Sequence, residues 1–292
     1  MADEMTRPRG EGEVKWVSTD WLQTHLSDKD LSLVDCQPDV HDYIQEHLPG
    51  AVYLNPNTFN APHHGIPSLF VSDKVATELL HRAGLKLDRP VAVYTGQGAA
   101  KGWGDGLEQA MVAYALARFG HQAVLLVDGG LEKWKSESRR LVQELPVYKH
   151  TRVKARERDD FSVNYDEFRR LKDLEERVVF DARMPALYEG KGPWPKPGHI
   201  PGAVSLPWRS LMADDNPRLL RPEAELREIS YRHNLTQGKT ILCTGGTARE
   251  ATLLFLVLRF FLGFPKVRVY EGSFTEWCAY PENPTASGPN PR

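Results

Sequence analysis

The sequence predicts an α/β protein of two tandem doubly wound domains, each with a mainly parallel sheet and helices on both faces. Two observations carry this prediction: short, β-rich apolar runs alternate with helical patterns, and the second half of the chain repeats the first. Strands of four to six residues that alternate with helices are typical of parallel sheets. Such sheets are covered on both faces because their strands are buried on both sides.

The elements follow one another in the same order in each half. Six runs read as buried strands, namely LSLVD, VAVYT, AVLLVD, RVVFDA, TILCT and VRVYE. Three segments have the apolar spacing of helices, namely SDKVATELLHRAG, LEQAMVAYALARFG and RPEAELREISYRHN. In sheets of this kind ligands bind beyond the carboxyl ends of the strands, so we expect the functional residues there.

The repeat consists of five segment pairs in one order, which chance does not explain. The pairs are VSTDWL and VNYDEF, LVDCQ and VFDAR, HLPGAVYL and HIPGAVSL, VAVYTG and TILCTG, and LLVDGGLEKW and RVYEGSFTEW. The repeat is as long as a whole domain, so it indicates tandem duplication and not a solenoid. We predict domains over residues 14–146 and 162–281. The charged segment 147–161 between them lacks helical apolar spacing and is predicted as the linker.

Composition limits the classes of function. The chain has 292 residues, 41% hydrophobic and 26% charged, as in ordinary globular proteins. A formal net charge of −2 gives no global reason to expect nucleic acid or an anionic membrane as partner. The first sixteen residues are polar and lack the apolar core of a signal peptide, which predicts a cytoplasmic protein. The apolar run 251–264 is interrupted by Arg259 and is too short to span a bilayer, so we expect a buried helix.

The three cysteines predict free thiols. Cys36, Cys243 and Cys278 are odd in number and form no CxxC pair, and no clustered histidines accompany them. This excludes a disulfide framework and structural zinc, and we expect no metal and no cofactor. Cys36 lies at a strand end and is expected to pack in the core, and Cys278 is given no catalytic role.

Cys243 stands where a strand opens into a glycine-rich loop that leads to a helix. A nucleophilic thiol must be ionised near neutral pH, and backbone N–H groups at a helix N-terminus favour an anion. Successive N–H groups of the loop can form a nest around sulfur or a bound anion; the loop residues are Thr244, Gly245, Gly246, Thr247 and Ala248. The alternative is a buried structural thiol, as most free cysteines are.

The paired halves, DAR at 181–183, HIPGAV at 199–204, the strand–Cys–glycine loop and YEGSFTEW at 270–277 resemble the rhodanese family. The similarity covers about residues 14 to 280 and is greatest to two-domain thiosulfate and mercaptopyruvate sulfurtransferases. It implies an inactive first domain, with Thr95 in the place of Cys243, and a catalytic second domain. It further implies that Cys243 carries a persulfide between a small sulfur donor such as thiosulfate and a thiophilic acceptor, either cyanide or a thiol, including a protein thiol.

Departures from the family pattern leave the donor open. The family's substrate-binding arginine falls on Leu187, the hydroxyl of a proposed proton relay falls on Gly245, and its acidic partner falls on Asn55. A cation that holds the substrate carboxylate in mercaptopyruvate enzymes falls near Lys196. Lys196 is therefore either a substrate contact or, with Trp194, part of a surface loop.

The position of Arg249 suggests a second kind of reaction. The spacing from Cys243 to Arg249 is Cys-x5-Arg, as in cysteine phosphatases, where the arginine clamps phosphate with two hydrogen bonds. Arg249 is therefore either an anion clamp or a helix-start residue in an ion pair. A Cys-x5-Arg phosphatase or arsenate-type enzyme, and a non-catalytic persulfide carrier, are the alternatives to a sulfurtransferase.

Overall fold

The computed structural model describes residues 7–98 and 104–292. In the first half the strands and helices are β1 Val14–Val17, α1 Thr19–His25, β2 Ser32–Asp35, α2 Val40–Gln45, β3 Val52–Tyr53, β4 Asn60–His63, β5 Ile66–Phe70, α3 Asp73–Arg82, β6 Val91–Tyr94, α4 Leu107–Arg118, β7 Val124–Val127 and α5 Gly130–Ser136. In the second half they are β8 Ser162–Val163, α6 Tyr165–Leu171, β9 Arg177–Asp181, α7 Pro185–Tyr188, β10 Ala203–Ser205, α8 Glu223–Arg232, β11 Thr240–Thr244, α9 Arg249–Leu256, β12 Val267–Tyr270 and α10 Ser273–Ala279. All six predicted strands and all three predicted helices are confirmed.

The chain forms two compact units, each with a five-stranded parallel sheet. The strand order is β1-β7-β6-β2-β3 in the first unit and β10-β9-β11-β12-β8 in the second. Read from opposite ends, the two orders are the same, as expected for a duplication. The central strands β6 and β7 are buried along their whole length, which is typical of parallel strands covered on both faces.

The units are not the two contiguous halves of the chain. The first unit takes in the described residues up to Phe59, Val71–Arg158 and Met212–Leu220, whereas Asn60–Phe70 belongs to the second unit. Asn60–Phe70 forms the antiparallel hairpin β4–β5. Most of the predicted linker lies within the first unit, because its backbone donates hydrogen bonds there, for example from Arg156 to the carbonyl of Phe119.

The apolar run 251–264 is a buried helix, as predicted. It forms α9 and continues as a π-helical turn, Val257–Phe261. Every residue of α9 after Glu250 is buried, which explains why its composition is apolar. Within the described parts of the chain, no helix combines the length and the apolar character needed to cross a bilayer.

The two repeated histidines are structural. The Nδ1 atom of His47 lies 2.7 Å from the carbonyl oxygen of Tyr43, and that of His199 lies 3.0 Å from the carbonyl oxygen of Tyr188. Each imidazole also stacks on the same tyrosine, with ring centroids 4.1 and 3.7 Å apart. Each histidine thus joins its repeated segment to a tyrosine of the preceding helix in the same unit.

Candidate active site

Cys243 is the fourth residue of β11, inside the second sheet. The strand lies between β9 and β12, and Cys243 is in register with Phe180 on one side and Val269 on the other. The thiol has no exposed surface. Burial by itself raises the pKa of the Cys243 thiol well above its usual range. The thiol therefore lies at the predicted strand end, in a setting that favours its neutral form.

Ser273 organises the loop that follows the strand. Its hydroxyl accepts hydrogen bonds from the backbone nitrogens of Gly245 at 3.1 Å and Ala248 at 2.9 Å, and donates one to the carbonyl of Tyr270. Ala248 and Ser273 both have left-handed backbones, with φ of 67° and 52°. Such angles are unfavourable for residues with a Cβ, so the hydrogen bonds hold the loop in a shape it would not adopt alone.

Glu250 fills part of the predicted anion nest. Its Oε2 atom accepts a hydrogen bond of 3.0 Å from the backbone nitrogen of Gly246. A Cβ built on Gly245 would lie 2.6 Å from the same oxygen, so the carboxylate lies directly against the glycine backbone. Three of the predicted nest donors, on Gly245, Gly246 and Ala248, are thus satisfied by side chains of this unit.

Trp194 also lies against the loop. A Cβ on Gly246 would lie 2.8 Å from the indole ring. The indole N–H donates to the hydroxyl of Thr275 at 2.8 Å, and that hydroxyl donates to the carbonyl of Gly246 at 2.8 Å. Trp194 is half-buried, so it forms an aromatic wall beside the glycines.

A buried ion pair supports this wall. Arg183 and Asp181, both without exposed surface, are joined by hydrogen bonds from Nε and Nη2, the shortest being 2.6 Å. The guanidinium lies 4.8 Å from the ring of Trp194 and 4.1 Å from that of Phe274. The DAR triplet therefore positions the aromatic residues around the loop, and these cation–π contacts hold Trp194 in place.

Lys196 contacts the backbone and not the loop. Its Nζ atom donates to the carbonyl oxygens of Tyr280 at 2.7 Å, Pro281 at 2.9 Å and Asn283 at 2.7 Å. An ammonium group has three donors, and all three are used here. This geometry favours a structural role for Lys196 over the predicted substrate contact.

The remaining predicted residues lie around the same loop. Arg249 is the first residue of α9, half-buried and engaged by other groups, and Thr247 is half-buried. Thr244 is buried and ends β11. Its hydroxyl oxygen has no hydrogen-bond partner within the described residues. Glu250 and Ser273 were not predicted as partners of the loop, although Ser273 lies in the repeated segment YEGSFTEW.

The register of the two sheets corrects one equivalence between the halves. Val93 pairs with Leu126 in the first sheet, and Cys243 pairs with Val269 at the matching place in the second. The carbonyl of Thr95 accepts a hydrogen bond from the backbone nitrogen of Leu131 in α5. The carbonyl of Gly245 accepts one from Phe274, which is the matching residue of α10. Thr95 therefore corresponds to Gly245, and the expectation that it stands in the place of Cys243 was wrong. Apolar strands align equally well with a shift of one or two residues, so the sequence did not reveal this.

Comparisons with known proteins agree with this architecture. The profile of the rhodanese-like domain matches residues 18–137 and 164–280. A protein of Synechococcus elongatus named putative thiosulfate sulfurtransferase is 32% identical over 95% of this chain and 86% of its own length. The sulfur carrier protein TtuD of Thermus thermophilus is 30% identical over 93% of this chain and 96% of its own.

Solved structures show the same fold at lower identity. The 3-mercaptopyruvate sulfurtransferase SseA of Escherichia coli aligns with a TM-score of 0.78 and 22% identity, over 89% of this chain and 98% of its own. An anaerobic ergothioneine biosynthesis enzyme of Chlorobium limicola, in complex with trimethyl histidine, aligns with a TM-score of 0.82 and 18% identity. The alignment covers 94% of this chain and 70% of that enzyme. With its two matched segments and its two parallel sheets of one strand order, this chain belongs to the rhodanese family and carries two rhodanese-like domains.

Proposed function

We propose that this chain is a sulfurtransferase that moves sulfane sulfur from thiosulfate or a related donor to cyanide or a thiol. Relatives named thiosulfate sulfurtransferase, which align along nearly the whole chain, indicate a transferase of sulfur-containing groups. The observation that carries the proposal is the position of Cys243 at the carboxyl end of β11, directly before the loop and α9. A location in the cytoplasm is part of the same proposal.

The proposed cycle has two displacements at sulfur. In the first, the Cys243 thiolate attacks the outer sulfur of thiosulfate, the S–S bond breaks, and sulfite leaves with the electron pair. In the second, cyanide attacks the outer sulfur of the persulfide, thiocyanate leaves, and the thiolate is regained. A protein thiolate acceptor takes the sulfur in the same way and becomes a persulfide; the relative TtuD is itself named a sulfur carrier.

This chemistry requires the loop to move. Cys243 has no exposed surface, so a donor reaches its sulfur only after the residues that cover it shift, and we propose that these are the loop residues 244–248. Opening also lets water and loop N–H groups reach the thiol, which lowers its pKa from the raised value of the buried state. We place the energetic cost of sulfur loading in this opening step.

One observation favours a second candidate, a rhodanese-like protein that forms no persulfide of its own. All three thiols are buried, and the nest donors on Gly245, Gly246 and Ala248 already have partners in the structure. The phosphatase alternative gains no such support, because the carboxylate of Glu250 lies where a phosphate would accept hydrogen bonds.

Mass spectrometry of the intact protein separates these candidates. After incubation with thiosulfate and removal of excess donor, we expect the mass to increase by one sulfur atom in the wild type, in Cys36→Ser and in Cys278→Ser, but not in Cys243→Ser. Thiocyanate formation with cyanide should follow the same pattern. Loading that persists in Cys243→Ser would assign the carrier to another thiol, and no loading in any variant, either from thiosulfate or from the uncharged donor dimethyl trisulfide, would favour the second candidate.

A further inference from the structure

The carboxylate of Glu250 lies where the loop would bind an anion. Its Oε2 atom holds the N–H of Gly246, and its oxygens approach the backbone of both glycines. Glu250 belongs to the first turn of α9, so the side chain turns back over the loop to reach this donor. The loop thus carries a negative charge of its own at the proposed active site.

A second, independent feature of the same space is aromatic. The ring of Trp194 lies against Gly246, close to the carboxylate of Glu250. An aromatic face binds apolar or cationic groups and gives nothing to a sulfonate. A carboxylate beside an aromatic ring therefore disfavours a dianion and favours an uncharged or positively charged molecule.

We infer that Glu250 determines donor preference: it slows transfer from anionic donors such as thiosulfate and favours an uncharged or cationic sulfane-sulfur compound. This inference rests on the proposed sulfur transfer and names its class of donor. A dialkyl trisulfide is a suitable representative, since it gives up one sulfane sulfur and leaves as the dialkyl disulfide. We therefore expect slow sulfur transfer from thiosulfate, because the thiosulfate anion and the Glu250 carboxylate compete for the same backbone N–H donors and repel each other.

The variant Glu250→Gln tests the charge and preserves the hydrogen bond. The glutamine side-chain oxygen still accepts from Gly246, so a merely structural role predicts no change in donor preference. We expect kcat/KM for thiosulfate to rise about tenfold or more, because a like charge at contact distance is removed. For dimethyl trisulfide we expect a change of less than about twofold. The matched control is Glu225→Gln, which removes the same charge from an exposed residue of α8 that pairs with Arg221.

A binding measurement keeps the inference separate from the proposed function. Sulfate is titrated into the full chain in a calorimeter. We expect Glu250→Gln to bind sulfate about tenfold or more tightly than the wild type and Glu225→Gln do. If no variant transfers sulfur but this difference appears, the proposed function is wrong and the role of Glu250 stands. Equal sulfate affinities, or equal changes of kcat/KM for both donors, would overturn the role of Glu250 whatever the turnover.

Discussion

The hydroxyl of Ser273 lies 2.9 Å from the backbone nitrogen of Ala248 and 3.1 Å from that of Gly245, so one side chain of α10 holds both ends of the loop after β11. Ser273 and Cys243 are far apart in sequence, and the loop's shape therefore depends on the packing of α10 against the sheet. The proposed chemistry has to open this loop, which makes the strength of these contacts a measurable property of the site.

We expect Ser273→Ala to destabilise the second unit by about 2–3 kcal/mol, because two buried N–H groups lose their acceptor. Urea unfolding followed by tryptophan fluorescence measures the loss. Ser273→Gly also removes the hydroxyl but relieves the left-handed φ of 52°. It should therefore be about 1 kcal/mol more stable than the alanine variant. Equal stability of the two variants would contradict backbone strain at this position.

The burial of Cys243 predicts slow chemical modification. Only the thiolate reacts with iodoacetamide, and burial raises the pKa of this thiol, so alkylation at pH 7.5 should be at least about 100-fold slower than in urea. The rate should keep rising with pH and show no plateau near neutrality, because the thiolate fraction grows until the pH reaches the raised pKa. Peptide mapping of the alkylated protein assigns the reaction to Cys243. A fast reaction with a plateau near pH 7 would show an accessible, ionised thiol instead.

Lys196 distinguishes a structural contact from a substrate contact. Lys196→Met keeps the aliphatic stem and removes the three hydrogen bonds to carbonyl groups, so we expect a loss of about 1–3 kcal/mol in the free energy of unfolding. The ratio of kcat/KM between thiosulfate and dimethyl trisulfide should not change. Lys191→Met, in the exposed part of the same segment, serves as the control and should be nearly silent. A donor-selective rise of KM without loss of stability would restore the substrate contact predicted from sequence.

His121 predicts a pH dependence of stability in the first unit. Burial lowers its pKa from 6.5 to about 4, although the nearby charge of Asp88 acts in the opposite direction. The unfolded chain binds a proton below about pH 6.5 and the folded chain only near pH 4, so this contribution is complete above pH 6.5 and is lost as the pH falls to 4. We expect a loss of about 2–3 kcal/mol over this window.

The variant His121→Gln isolates this contribution. Burial raises the pKa of Asp35 to about 6, and its effect has the opposite sign, because the stability that it contributes at low pH is lost as the pH rises through 6. The difference between wild type and His121→Gln cancels the effect of Asp35. A difference in unfolding free energy that stays constant from pH 7 to pH 4 would show that His121 does not titrate as its burial predicts.

Local patterns were enough to predict the α/β class and the two-domain repeat. The duplication, the six strands, the three helices and the buried apolar segment 251–264 followed from spacing and composition, because burial of an apolar face imposes a period on the sequence. The position of Cys243 at the end of β11 followed in the same way. The family resemblance also rested on segments that are continuous in sequence, such as DAR and YEGSFTEW, and the comparisons confirm it.

Tertiary structure decided how the residues of the site are used. Lys196 meets carbonyl groups 84 to 87 residues away, and Ser273 reaches the loop 25 to 28 residues before it. The carboxylate of Glu250 turns back onto Gly246 across the left-handed Ala248, where the loop meets the start of α9. Spacing in a sequence determines which face of an element is buried, but a polar side chain finds its partner among the groups that packing brings near it. The charge and accessibility of the Cys243 environment are consequences of that packing.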